Sequence, residues 1–149
     1  MRPNDHQHTE YAARRQALMQ RIGHDGVAII PGASEVTRAR DTHYRFRQDA
    51  DFAYLTGFHE PDCIAVLAPG RKNAQGAKAE FVLFVRPRNA EREIWDGRRA
   101  GPEGVVQRYG ADEAWSVEEL DQHLPKLLQG RESVHYTPVS YTHLTLPTK

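Results

Sequence analysis

Cysteine is almost missing from this chain: Cys63 is the single one in 149 residues. An internal disulfide framework and a cysteine-rich zinc site are thereby excluded. Neither sign of charge is in excess, since 20 Lys and Arg balance 20 Asp and Glu for a formal net charge of +0. No global field therefore draws in a nucleic acid backbone or an anionic membrane. No apolar run approaches the roughly 18 residues of a membrane span. The opening Met1-Arg2-Pro3-Asn4-Asp5-His6-Gln7-His8 lacks the apolar stretch of a secretory signal. These absences read as a soluble, cytoplasmic protein with no membrane and no nucleic acid partner. Phosphate-loop and nucleophile-elbow patterns are missing too, and Cys63 opens an apolar run, so phosphoryl transfer and nucleophilic catalysis have no support.

What is present fits one domain with one core, which a chain of about 150 residues builds without staples. Tyr11, Leu18 and Ile22 form one helical stripe over Thr9 to Ile22, with Arg14, Arg15, Gln16 and Gln20 on the other side, and Gly23 stops it. Val27-Ala28-Ile29-Ile30 is apolar on both faces, as a buried strand is. A polar stretch from Ser34 to Gln48 follows. Cys63 to Leu67 and Phe81 to Val85 are two further strands, and the Pro69 to Gly76 connector is too short for a crossover helix. The pair is expected to be an antiparallel hairpin with a long loop. Ser116-Val117-Glu118-Glu119 has capping-box form before the Val117, Leu120, Leu124, Leu127 stripe, Gly130 ends that helix, and Ser133 to Tyr136 alternates like a strand returning to the sheet.

From Pro138 the composition changes, with no charge before the final lysine and threonine recurring about every third residue. This tail is similar to translated sequencing-adapter read-through, and is set aside from fold reasoning. The expected organisation is a flexible terminus over residues 1–8, a domain over 9–136 and a non-native tail over 137–149.

Several residues invite a chemical reading. Asp49, Asp51, Glu60 and Asp62 with His43 and His59 could form a hard-metal site. The simpler reading has Asp51 as the N-cap of a helix and Glu60-Pro61-Asp62 as turn chemistry, since no metal-binding helix or calcium-loop spacing is present. His6 and His8 form an H-x-H pair in a terminus expected to fray. Arg86, Arg88, Arg92, Arg98 and Arg99 could meet phosphate, but Glu91, Glu93 and Asp96 lie among them, which favours a salt-bridged surface over a nucleic acid module. Trp95 sits between charges and before Gly97, where an indole is either a packed corner or an exposed platform. The corner is the simpler reading of the sequence alone, because most tryptophans are largely buried. Trp115, at the staple position beside Ser116, reads as core.

Two motifs then resemble a known family. The run Phe46 to Pro61 is similar to the Y-R-Q-N-S-D-F-x-Y-L-T-G-F-x-E-P pattern of Xaa-Pro aminopeptidase (aminopeptidase P) N-terminal domains, in the creatinase and prolidase group. Glu93 to Gly101 is similar to its E-x-W-x-G-x-R-x-G pattern. Asp49-Ala50 stands where asparagine-serine is usual, and Ala53 where an aromatic is common. The resemblance spans about Thr9 to Tyr136. It implies an α/β domain with a mixed β-sheet and flanking helices, ribonuclease H-like, with the pita-bread catalytic domain absent from this chain. For the full-length protein it implies a hydrolase and metallopeptidase that uses two manganese ions to release the residue preceding proline from peptide substrates, as a homo-oligomer. For this chain it implies no catalytic residue, no metal ligand and no activity alone. Trp95 becomes the substrate-access candidate, and Arg47, Gln48, Asp51, Tyr54, Gly57, Glu60, Pro61, Gly97 and Arg99 the structural residues of the motifs. The alternative is a standalone non-catalytic module that binds protein or peptide.

Overall fold

In the computed structural model, which describes residues 5–34 and 46–136, a five-stranded sheet in the order β4-β3-β2-β1-β5 carries the core. Its strands are β1 (Gly26–Pro31), β2 (Ile64–Leu67), β3 (Phe81–Val85), β4 (Glu113–Ser116) and β5 (Ser133–Tyr136). β2 pairs antiparallel with both β1 and β3, whereas the outer strands β5 and β4 pair parallel with β1 and β3. The sheet is thus mixed. The β2–β3 hairpin has its long loop, in which the Asn73 side chain accepts from Gln75 N and Ala77 N.

The unbroken apolar runs are explained by burial on two sides. Ala28, Ile30, Ala65, Leu67, Phe81, Leu83 and Val85 face one core cluster. It is completed by Met19 of α1 (Asp5–Ile22), Phe52 and Leu55 of α2 (Ala50–Thr56), and Val105 of α4 (Gly101–Tyr109). The alternate residues Val27, Ile29, Ile64, Val66, Val82 and Phe84 face Leu124 and Leu127 of α5 (Leu120–Leu128). The remaining helix, α3 (Ala90–Asp96), lies between β3 and α4 in the chain.

Several expectations are corrected. Helix α1 begins at Asp5, ahead of the Thr9 where its apolar spacing starts. Arg15 leaves the polar face and is buried, its guanidinium 4.0 Å over the Phe81 ring and donating to Leu55 O at 2.9 Å. A flat, weakly hydrated guanidinium on a long stem tolerates that site where an ammonium would not. Burial lowers its pKa to about 10 against the opposing pull of Asp112. The N-cap of α2 is Asp49, not Asp51: the Asp49 carboxylate accepts from Phe52 N at 3.0 Å. Trp115, in β4, packs against the second core cluster as expected, though only partly buried, and its ring stacks on His123 at 3.9 Å between ring centroids. Ser116 caps a 3-10 turn (Val117–Glu119) that leads into α5, and its hydroxyl accepts from Glu118 N. The tail over 137–149, His43 and the side chain of His6 lie outside the described residues.

Candidate functional site

The first motif is a folding device built around Gln48. Its amide oxygen accepts from Ala33 N (2.8 Å) and Asp49 N, and its amide nitrogen donates to Phe58 O and Glu60 O (2.8 Å). One side chain therefore ties the end of β1, the start of α2 and the loop after it. Both hydrogens and both lone pairs of the amide are used. Arg47 before it is exposed. Asp51 is exposed on the first turn of α2, and Tyr54 is exposed beneath the Arg14 guanidinium, 4.3 Å from its ring centroid. Gly57 ends α2 at φ 68, and a Cβ there would stand 2.4 Å from the Tyr11 ring. Only glycine serves both the left-handed turn and that contact. Pro61 is buried, and the Cys63 thiol donates to its carbonyl at 3.2 Å. Burial, with Glu60 adding to it, pushes that thiol up to about 12. A thiol held protonated is no nucleophile.

The second motif meets the first through Glu60. Its Oε2 accepts from Ala100 N at 2.8 Å, across 40 residues, while Oε1 faces Arg86 at 3.4 Å. The adjacent amide, Arg99 N, donates to Glu93 Oε1 at 2.8 Å. Two consecutive backbone amides are thus held by carboxylates from two different segments. The Arg99 side chain is buried and donates to Pro87 O. Gly97 caps α3 with φ 91 and ψ 165, open to glycine alone, and Gly101 has φ 70 with the Arg88 stem against it. Each motif residue from Glu93 to Gly101 except Trp95 is explained by the shape of this corner.

Trp95 points outward. It is 87% exposed, beside Ile94 at 78%. The packed-corner reading is overturned: among the described residues nothing covers the indole. An apolar pair so displayed is the surface a partner or ligand would cover.

The acidic residues considered for a metal do not converge. Asp49 caps a helix, Glu60 holds Ala100 N and Arg86, and Asp51, His59 and Asp62 are exposed. Among the described residues no group of three His, Cys, Asp or Glu side chains could hold a metal ion. Three of the five arginines of that stretch are engaged locally, Arg86 with Glu60, Arg88 with Glu93 at 3.0 Å and Arg99 with Pro87 O, while Arg92 and Arg98 are exposed. Among the described residues no helix is long and apolar enough to cross a membrane. A groove of about 1030 Å³ between α1, α2, β1 and β5 is lined by Arg14, Leu18, Ile22, Tyr54 and Tyr136. It is remote in sequence from both Glu93 and Trp95.

Helix α3, the Gly97 turn, β4 and α4 were not visible in the periodicity, because α3 has no buried face among its described residues and α4 buries only Gly101, Gly104 and Val105. The signals that could have found α3 were Asn89 as N-cap and glycine just past the helix.

The family described as aminopeptidase P, N-terminal domain, matches residues 11–136. The chain is 37% identical over 134 residues to the Xaa-Pro aminopeptidase of Escherichia coli, covering 90% of this chain and 30% of that protein. Among solved structures it is similar to the aminopeptidase PepP of Pseudomonas aeruginosa, at 46% identity and TM-score 0.81 over 90% of this chain and 29% of the other. It is likewise similar to a zinc-substituted Escherichia coli aminopeptidase P in complex with product, at 37% identity and TM-score 0.76, covering 90% and 30%. The chain thus spans about three-tenths of the length of the relatives it matches.

Proposed function

The chain belongs to the aminopeptidase P N-terminal domain family, and from that premise we propose that it is the non-catalytic access domain of an Xaa-Pro aminopeptidase. Hydrolysis of the bond before proline belongs to the remaining seven-tenths of such a protein, which the present residues do not represent. Two manganese ions are the cofactor of that other part. Their role is to lower the pKa of a nucleophilic water and hold developing charge. The zinc-substituted relative supports a metal-dependent activity. The parent protein is a cytoplasmic homo-oligomer in this reading.

The observation that carries the proposal is the display of Trp95, 87% exposed at the tip of a corner otherwise fixed by Glu60 and Glu93. A rigid indole at the rim of a peptide site covers apolar area at little entropic cost and orients the substrate. The rim belongs to the protein's own metal site or to that of a neighbouring subunit. Trp95→Ala in the full-length enzyme tests it. The expected outcome is a raised KM or changed selectivity for Xaa-Pro peptides, with an unchanged melting curve. Normal kinetic constants in a normally folded variant would refute the access role.

A further inference from the structure

Helix α3 is held in an unusual way. Its seven residues are too few to be stable alone, and none of its described residues is buried; Glu93 alone is partly so. Its apolar members Ile94 and Trp95 face solvent, so packing does not fix the helix. Polar bonds do. Asn89 Oδ1 accepts from Glu91 N and Arg92 N, while Glu93 Oε2 accepts from Asn89 N at 3.0 Å. This is the reciprocal arrangement of a capping box, with the acid one place further along. The same carboxylate turns its other oxygen to Arg99 N, beyond the helix, and Arg88 Nε lies against it. One side chain on the helix therefore binds the backbone before it and after it, and the segment from Asn89 to Arg99 closes around that carboxylate.

We propose that Glu93 is the positioning residue of the Trp95 platform, fixing the direction in which Ile94 and Trp95 project by clamping Asn89 N and Arg99 N with one carboxylate. The inference rests on the access role proposed above for its bearing on catalysis, but not for its physical content. A carboxylate is needed because both clamped groups are donors. Glutamine, equal in size, offers one acceptor oxygen and turns an NH2 towards the second amide, which becomes a donor facing a donor. Glu60 steadies the joint from the other side through Ala100 N, and its loss reaches the loop after α2 as well.

The test is Glu93→Gln, read by backbone 15N relaxation on this chain. In the parent chain the Ile94 and Trp95 amides should behave as ordered backbone, with order parameters near about 0.85, and in the variant they should fall below about 0.6. The amides of Glu113–Ser116 in β4 serve as the internal control and should not move. No change at Trp95, or an equal loosening of α3 and β4, would overturn the proposal, the second because it would make Glu93 a general structural residue. The same substitution in the full-length enzyme should raise KM for an Xaa-Pro dipeptide several-fold, with kcat within about twofold. Combined with Trp95→Ala it should add nothing further, and additive effects would overturn the assignment of Glu93 to Trp95. If Trp95→Ala alone leaves KM untouched while the relaxation result holds, the access role fails and the clamp stands.

Discussion

Gln48, Glu60 and Glu93 do at the level of single residues what a pattern reading assigns to solvent or metal: each receives backbone amides. An acceptor oxygen aimed at an amide that would otherwise be buried unpaired is worth more than an exposed ion pair. For Glu93 the effect is visible in its acidity. The Arg99 N–H first, and after it the Arg88 side chain and Asn89 N–H, outweigh desolvation and hold its carboxyl below the usual carboxylate range. A depressed folded-state pKa stabilises the fold above the unfolded value near about 4.3, and that stabilisation is lost as pH falls through the folded value. The stability advantage of the parent chain over Glu93→Gln should therefore be full above about pH 5 and shrink in acid. Denaturant titrations from neutral to acid pH measure it; an advantage that grows in acid would contradict the bonding described.

Among the elements, α2 shows how neighbouring acids divide their work. Asp49→Ala removes the acceptor for Phe52 N and should cost about 0.5–2 kcal/mol, whereas Asp51→Ala should stay within about 0.5 kcal/mol. Thermal or urea unfolding of the two variants checks the order. The sequence made Asp51 the cap because it precedes Phe52-Ala53-Tyr54-Leu55, but the helix starts two residues sooner, at Ala50. The buried strands β1, β2 and β3 were legible because residues buried on both faces leave unbroken apolar runs. Antiparallel pairing of β2 with β3 followed from connector length alone. Strand β4 was not legible, since Glu113-Ala114-Trp115-Ser116 sits at the sheet edge and carries no such run. Helix α3 was hidden for the opposite reason to the core helices: what holds it is polar, and what it displays is apolar. Both motifs were legible as motifs, but periodicity could not show that Glu60 joins them.

At the scale of the molecule, every buried apolar side chain among the described residues lies between Met19 and Leu127. Deleting residues 138–149 should leave the thermal midpoint nearly unchanged, and a fall of several degrees would show that the tail belongs to the fold. Trp95→Ala should also leave the stability of this chain within about 0.5 kcal/mol, where a buried tryptophan would cost about 3–5 kcal/mol. This domain sets its carboxylates on backbone amides and its tryptophan on the outside. The most direct test is to dialyse this chain against manganese-containing buffer and then metal-free buffer, measure retained metal, and assay an Xaa-Pro dipeptide. The account predicts no stoichiometric manganese and no hydrolysis, and activity that rises and falls with bound manganese in this chain would contradict it.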